Sequence, residues 1–186
     1  MVFSDKFADP ASGWTTTGGR SYVSGGYQFA ATGQSVVYAA APYFNPTAQV
    51  SMSVTATTDG QSGGFGIVCI DATSTKGGMS YEFFALGDGT WLIEKRNNDN
   101  RQTPTALATG KAVATVGKAP VTVEAVCATL PGGKSVRLML FINGHQSADV
   151  ADQPAVLPSD GWVGGMCGAA PITLTASAFS LSNLDS

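Results

Sequence analysis

Charge is scarce in this sequence. Of its 186 residues only 12% are Asp, Glu, Lys or Arg, against about 25% in a typical soluble domain. A helical bundle draws heavily on Glu, Lys and Leu, so the scarcity argues against one. Glutamate occurs at just three positions, Glu82, Glu94 and Glu124. Histidine occurs once, as His145, and cysteine three times, as Cys69, Cys127 and Cys167, with no CxxC pair. A zinc site would require all three sulfurs and that one imidazole to converge. One disulfide plus one buried free thiol accounts for the cysteines more simply. The net charge of −3 and a pI near 4.9 lack the basic footprint of a nucleic-acid binder. No apolar run approaches the roughly 20 residues that span a bilayer, so membrane insertion is not expected. No signal peptide precedes Phe3-Ser-Asp-Lys-Phe7, which reads as the opening of an excised soluble domain.

What the sequence does have is glycine, at 23 positions, with Ser, Thr and Ala between β-branched and aromatic runs. That mixture predicts many short strands joined by tight turns. Gln49 to Thr57 alternates, with Val50, Met52, Val54 and Ala56 on one face and small polar residues on the other, the pattern of a half-buried strand. Val121 to Cys127 alternates in the same way. Hairpins are expected at Ser24-Gly25-Gly26, at Gly87-Asp88-Gly89 and at Asn143-Gly144. A polar stretch from Asn97 to Lys118 leaves room for one short strand around Leu107. No amphipathic helix of useful length is found. The expected fold is all-β: a two-sheet antiparallel jelly-roll sandwich forming one domain over residues 1–186.

Several segments, in their order and spacing, carry a resemblance. Phe3-Ser-Asp-Lys-Phe7 is followed by Gly13-Trp14. Gly66-Ile-Val-Cys69 and Tyr81-Glu-Phe83 precede Asp88-Gly89 and Trp91-Leu-Ile93. Leu140-Phe-Ile-Asn-Gly144, Gly161-Trp-Val-Gly164 and Phe179 come late in the chain. Together they resemble the concanavalin A-like lectin/glucanase superfamily, in particular bacterial extracytoplasmic domains of laminin-G-like and 3-keto-disaccharide-hydrolase-like type. The resemblance implies a disulfide between Cys69 and Cys127, because similar domains carry a cysteine pair at these places. It leaves Cys167 as a small buried apolar residue. It also implies a structural calcium as an option, with Asp5 near the terminus as the candidate ligand, and no other cofactor. Glucanases of the superfamily set their acids on one strand as an E-x-D-x-E-type run. This chain has no such run, so no catalytic residues are assigned.

The candidate ligand-binding residues come from strand alternation. If Tyr81, Phe83, Ala85, Trp91 and Ile93 face the core, then Glu82, Phe84, Glu94 and Arg96 face outward together. On a concave sheet they would line a groove; the alternative is a solvated face of cross-strand Glu/Arg pairs. Aromatic rings are candidate sugar platforms, since a flat ring covers the apolar face of a pyranose. Tyr22, Tyr27, Tyr38, Tyr43, Phe84 and Trp162 are such candidates, whereas Trp14 and Trp91 fit the core. Five of the ten basic residues, Lys95, Arg96, Arg101, Lys111 and Lys118, fall in one segment. That segment either attracts an anionic partner or keeps an edge soluble. The expected function is non-catalytic recognition outside the cytoplasm, with a poly- or oligosaccharide as ligand on the concave sheet. The alternatives are a protein-interaction or structural module, and a glycoside hydrolase using Glu82 and Glu94.

Overall fold

The computed structural model describes residues 1–32, 36–59, 63–72, 78–97, 103–112, 114, 116–154 and 161–184. Among these are fourteen strands in two antiparallel sheets, and no helix. The larger sheet runs, in spatial order, β12 (His145–Asp152), β11 (Val136–Ile142), β10 (Val121–Thr129), β5 (Gln49–Thr58), β14 (Ile172–Asn183), β3 (Gly26–Ala31) and β2 (Arg20–Val23). β1 (Phe3–Asp5) pairs with the second half of β14, with Asp5 opposite Phe179. The smaller sheet runs β4 (Val36–Ala40), β13 (Trp162–Ala169), β6 (Gly64–Asp71), β7 (Met79–Leu86), β8 (Thr90–Asn97) and β9 (Thr105–Lys111). The chain is therefore a jelly-roll sandwich of two open sheets.

Local sequence explains the strands. β5 buries every second residue, with Val50, Met52, Val54 and Ala56 in the core. Its small hydroxyl residues on the other face pair across strands, Ser53 with Ser180 and Thr55 with Thr122 at 2.8 Å each. The β11–β12 turn places Asn143 and Gly144 at φ 50° and 76°, the left-handed conformations a two-residue hairpin turn of this hand needs. β9 is the one strand expected near Leu107.

The core lies between the sheets. Phe83, Ile93, Val123 and Leu140 each have 0% exposure, and Trp14 and Trp91 join them. The Cys69–Cys127 disulfide crosses this layer, joining β6 of the smaller sheet to β10 of the larger. Its 58-residue separation corresponds to about 4 kcal/mol in the loop-closure treatment of the unfolded chain. Cys167 is the free cysteine and is buried. At the N-terminal end, the rings of Phe7, Trp14 and Tyr27 pack with centroids 5.4–5.6 Å apart, Phe7 on Tyr27 stacked and Phe7 on Trp14 edge-on.

Burial in the smaller sheet departs from simple alternation. β6 and β7 are buried at nearly every position. A sheet with one wet face would alternate, so the far face of β6 and β7 is covered as well. Val68, Phe84 and Cys167 form a separate apolar cluster there, with Tyr38, Ile70, Leu86 and Leu92 among the side chains packed on it. The expectation that Glu82, Phe84, Glu94 and Arg96 point into water is corrected on this point. They do share the face opposite Tyr81, Phe83 and Ile93, but Glu82 is 0% and Phe84 1% exposed.

Candidate functional site

The site is built on β7 and β8, with β4 reaching over from the sheet edge. Glu82 and Glu94 are directly opposed in the antiparallel register. Two like charges in that position repel unless a cation joins them. Arg96, two residues along β8 on the same face, supplies it. Its Nε donates to Glu82 Oε1 at 2.7 Å, and its Nη2 donates to Glu82 Oε2 at 3.2 Å and to Glu94 Oε1 at 3.1 Å. The fork of the guanidinium thus grips Glu82 with two bonds, the geometry that makes arginine–carboxylate pairs strong.

Tyr38 completes the network. Its hydroxyl donates to Glu82 Oε1 at 2.6 Å, although two strands, β13 and β6, lie between β4 and β7. On this face Tyr38 packs against the Val68, Phe84 and Cys167 cluster, and Cys167 stands opposite it in register. Gly66 of β6 and Gly165 of β13 lie on the same face. A Cβ on Gly66 would meet the Phe83 carbonyl oxygen at 1.7 Å, and one on Gly165 the Ala39 carbonyl oxygen at 2.1 Å. Neither position admits a side chain, because the backbone of the neighbouring strand fills its place.

Electrostatics follow from this packing. Burial, then the hydrogen bond and charge of Glu82, raise the Glu94 carboxyl to about 7 against the pull of Arg96. Burial and the neighbouring Glu82 push the Tyr38 phenol far above its usual range. Burial also raises the Cys167 thiol, reinforced by Glu82 and Glu94, so it stays protonated and unreactive. Glu94 is 13% and Arg96 23% exposed by side chain. These two, with the half-buried Tyr38 and Leu92, are what an incoming molecule would meet.

Other proteins share this architecture. The carbohydrate binding module CBM66 from Bacillus subtilis matches with a TM-score of 0.62 at 12% identity, over 92% of this chain and 96% of that one. Alginate lyase Aly36B matches with a TM-score of 0.58 at 10% identity, over 96% of this chain and 88% of that one. The GH43 protein BlXynB from Bacillus licheniformis gives 0.65 at 13% identity, covering 96% of this chain but 38% of that one. This chain has the concanavalin A-like sandwich fold. No protein-family model matches the sequence, and no curated protein matches it.

Within this concanavalin A-like sandwich, four of the five sequence-derived candidates come together: Glu82, Phe84, Glu94 and Arg96. Trp162 does not join them. Its indole lies between the sheets at 1% exposure, 5.4 Å from the Tyr81 ring, with Nε1 donating to Thr129 Oγ1 at 3.1 Å. Alternation explains it, since Trp162 is one residue out of phase with Val163, which faces the other way. Tyr27 is also wholly buried.

The basic segment does not act as a unit. Lys95 points to the opposite side from Arg96 and binds Asp152 Oδ2 at 2.7 Å, an oxygen that also accepts from the Tyr81 hydroxyl at 2.6 Å. Lys111 and Lys118 are exposed, and Arg101 lies outside the described residues. Asp5 does not fit a calcium ligand. Its Oδ1 accepts from the Phe7 amide at 2.6 Å, and its Oδ2 accepts from Ser12 Oγ at 2.5 Å and Trp14 Nε1 at 2.9 Å. A carboxylate surrounded by donors ties down the N-terminal segment, whereas calcium requires converging oxygen acceptors. Among the described residues no group of three or more His, Cys, Asp or Glu could hold a metal ion.

Sequence reasoning missed the joining of Tyr38 to Glu82 and the Lys95–Asp152–Tyr81 cluster. No local signal marked the first, which joins residues 44 positions apart. Nothing in sequence pointed to Asp152, 57 residues from Lys95.

Proposed function

We propose that this chain, as one domain over residues 1–186, is a non-catalytic recognition module that works outside the cytoplasm and binds carbohydrate on the smaller sheet's outer face. The observation that carries the reading is Tyr38, an aromatic ring whose hydroxyl is locked onto Glu82, the same carboxylate that Arg96 grips. Saccharide sites combine an aromatic surface with a few fixed polar groups. Tyr38 and Leu92 would take the apolar face of a sugar ring, and Glu94 and Arg96 its hydroxyls. Glu82 and Phe84, without exposed surface, would position the others. The structural likeness to a protein named as a carbohydrate binding module supports the same reading.

Burial also favours recognition over hydrolysis. A glycosidase needs two carboxyl groups that both reach the scissile bond. Glu82 has 0% exposure and is held by Arg96 and Tyr38. The disulfide supports an oxidising compartment, where such bonds persist.

The test is a glycan array probed with the purified chain, followed by calorimetry with the best ligand and with Tyr38→Ala and Arg96→Gln variants. Binding weakened in both variants supports the reading. An empty array, or binding indifferent to both changes, defeats it. A protein-interaction role has one observation of its own, Phe44 at 73% exposure in the β4–β5 connection. Retained glycan binding in Phe44→Ser would leave that residue to a separate partner.

A further inference from the structure

The charge arrangement of the site goes further than a preference for sugars in general. We infer that it selects uncharged saccharides and rejects those bearing carboxylate or sulfate groups, an inference that rests on the carbohydrate reading above.

Proteins that bind acidic sugars present a cation whose hydrogen-bond donors are free to meet the anion. Here the cation is already engaged. Its Nε and Nη2 donate to carboxylate oxygens of Glu82 and Glu94, so its charge is already balanced. An acidic sugar that drew Arg96 towards itself would pull it from Glu82, which, with no exposed surface, has no solvent to turn into. Breaking such a buried pair leaves an unpaired charge in the interior, a cost a single sugar carboxylate does not recover.

Among the described residues, the surroundings offer no replacement. The charged and titratable groups facing Glu94 are Glu82 from β7, Arg96 from β8 and Cys167 from β13, with Tyr38 from β4 bound to Glu82; Ala106 of β9 stands opposite it in register. Lys95 is turned to the other side and held by Asp152. Lys111, on the same face, is opposite Thr90, two steps along the alternation from Glu94. Of the described residues, an anionic ligand lying over Tyr38 and Leu92 would therefore meet the Glu94 carboxyl before it met a cation not already paired with a carboxylate. Like-charge contacts of that kind suppress wrong partners more effectively than they weaken right ones.

A pH signature follows. The Glu94 carboxyl gains charge as pH rises through about 7, while sugar carboxylates and sulfates stay ionised throughout. Discrimination should therefore grow with pH.

The experiment uses the full chain on an array carrying neutral β-glucan, xylan, galactan and fructan oligosaccharides beside oligogalacturonate, alginate and heparin fragments. Dissociation constants are then measured for the best neutral and best acidic ligand at about pH 5 and about pH 8. The neutral ligand is expected to bind tighter by on the order of tenfold at the higher pH, with a smaller ratio at the lower. In Glu94→Gln the ratio should fall and lose its pH dependence. The wild-type pH series stands by itself should that variant fold poorly. Acidic ligands binding as well as neutral ones at about pH 8, on a surface that Tyr38→Ala disrupts, would overturn the inference and leave the carbohydrate reading intact. No binding to either class would overturn that reading, and the inference with it.

Discussion

Tyr38 and Glu82 sit on strands three places apart in the smaller sheet, and a 2.6 Å hydrogen bond from phenol to carboxylate joins them. The bond ties an edge strand to the sheet's interior over the Val68, Phe84 and Cys167 cluster. Removing the hydroxyl in Tyr38→Phe leaves a fully buried carboxylate oxygen short of one donor. The expected cost is about 1–3 kcal/mol of unfolding free energy, the range for an unsatisfied buried polar group. Urea denaturation measures it, and an unchanged midpoint would show that the bond adds nothing.

Arg96 should prove more costly to remove. In Arg96→Met, the buried Glu82 carboxylate loses its cation, and breaking a buried pair from one side costs about 3–5 kcal/mol. Adding Glu82→Gln to that variant removes the stranded charge. The double variant should be more stable than Arg96→Met alone, which a double-mutant cycle in denaturant would reveal. Strictly additive losses would mean the two groups do not depend on each other.

Glu94 makes stability depend on pH. Its carboxyl sits at about 7 in the folded chain against the usual 4.5, chiefly through burial and the presence of Glu82. Between those two values the folded state holds a proton that the unfolded state has released. The stabilisation is therefore fully present below the lower value and is lost as pH rises through the higher one. Thermal melts should show wild type losing stability relative to Glu94→Gln between about pH 5 and about pH 8. A constant difference between the two proteins would refute the assignment.

The disulfide gives a prediction by thiol counting. Denatured without reductant, the chain should titrate one thiol, that of Cys167, and after reduction three. Replacing Cys69 and Cys127 together by Ala should lower stability by up to about 4 kcal/mol, because an unbridged unfolded chain has more conformations to lose. Three reactive thiols before reduction would contradict the pairing.

The chain's large-scale plan was legible in its residues because its signals are local. Alternation in Gln49 to Thr57 and Val121 to Cys127 marks strands buried on one face, and Asn143-Gly144 marks a turn that few other dipeptides make. Alternation also grouped Glu82, Phe84, Glu94 and Arg96 correctly, since a strand assigns its side chains to faces by parity. It misjudged their exposure because parity says which way a side chain points, not what lies on top of it. Trp162 failed as a candidate for a related reason: a tryptophan reads the same in sequence whether it serves as a platform or as core.

Strand content, the hairpins and the inward faces were thus properties of the sequence alone, determined by neighbours within a few positions. The tertiary structure decided that Tyr38 meets Glu82 and that Lys95 meets Asp152. It also decided that Arg96 is spent on two carboxylates. Each of those contacts joins residues whose proximity depends on sheet order, and sheet order is settled by how two layers pack around a shared interior. That packing joins three of the side chains expected to face water, Glu82, Glu94 and Arg96, with Tyr38 in one hydrogen-bonded network and buries the fourth, Phe84, in an apolar cluster.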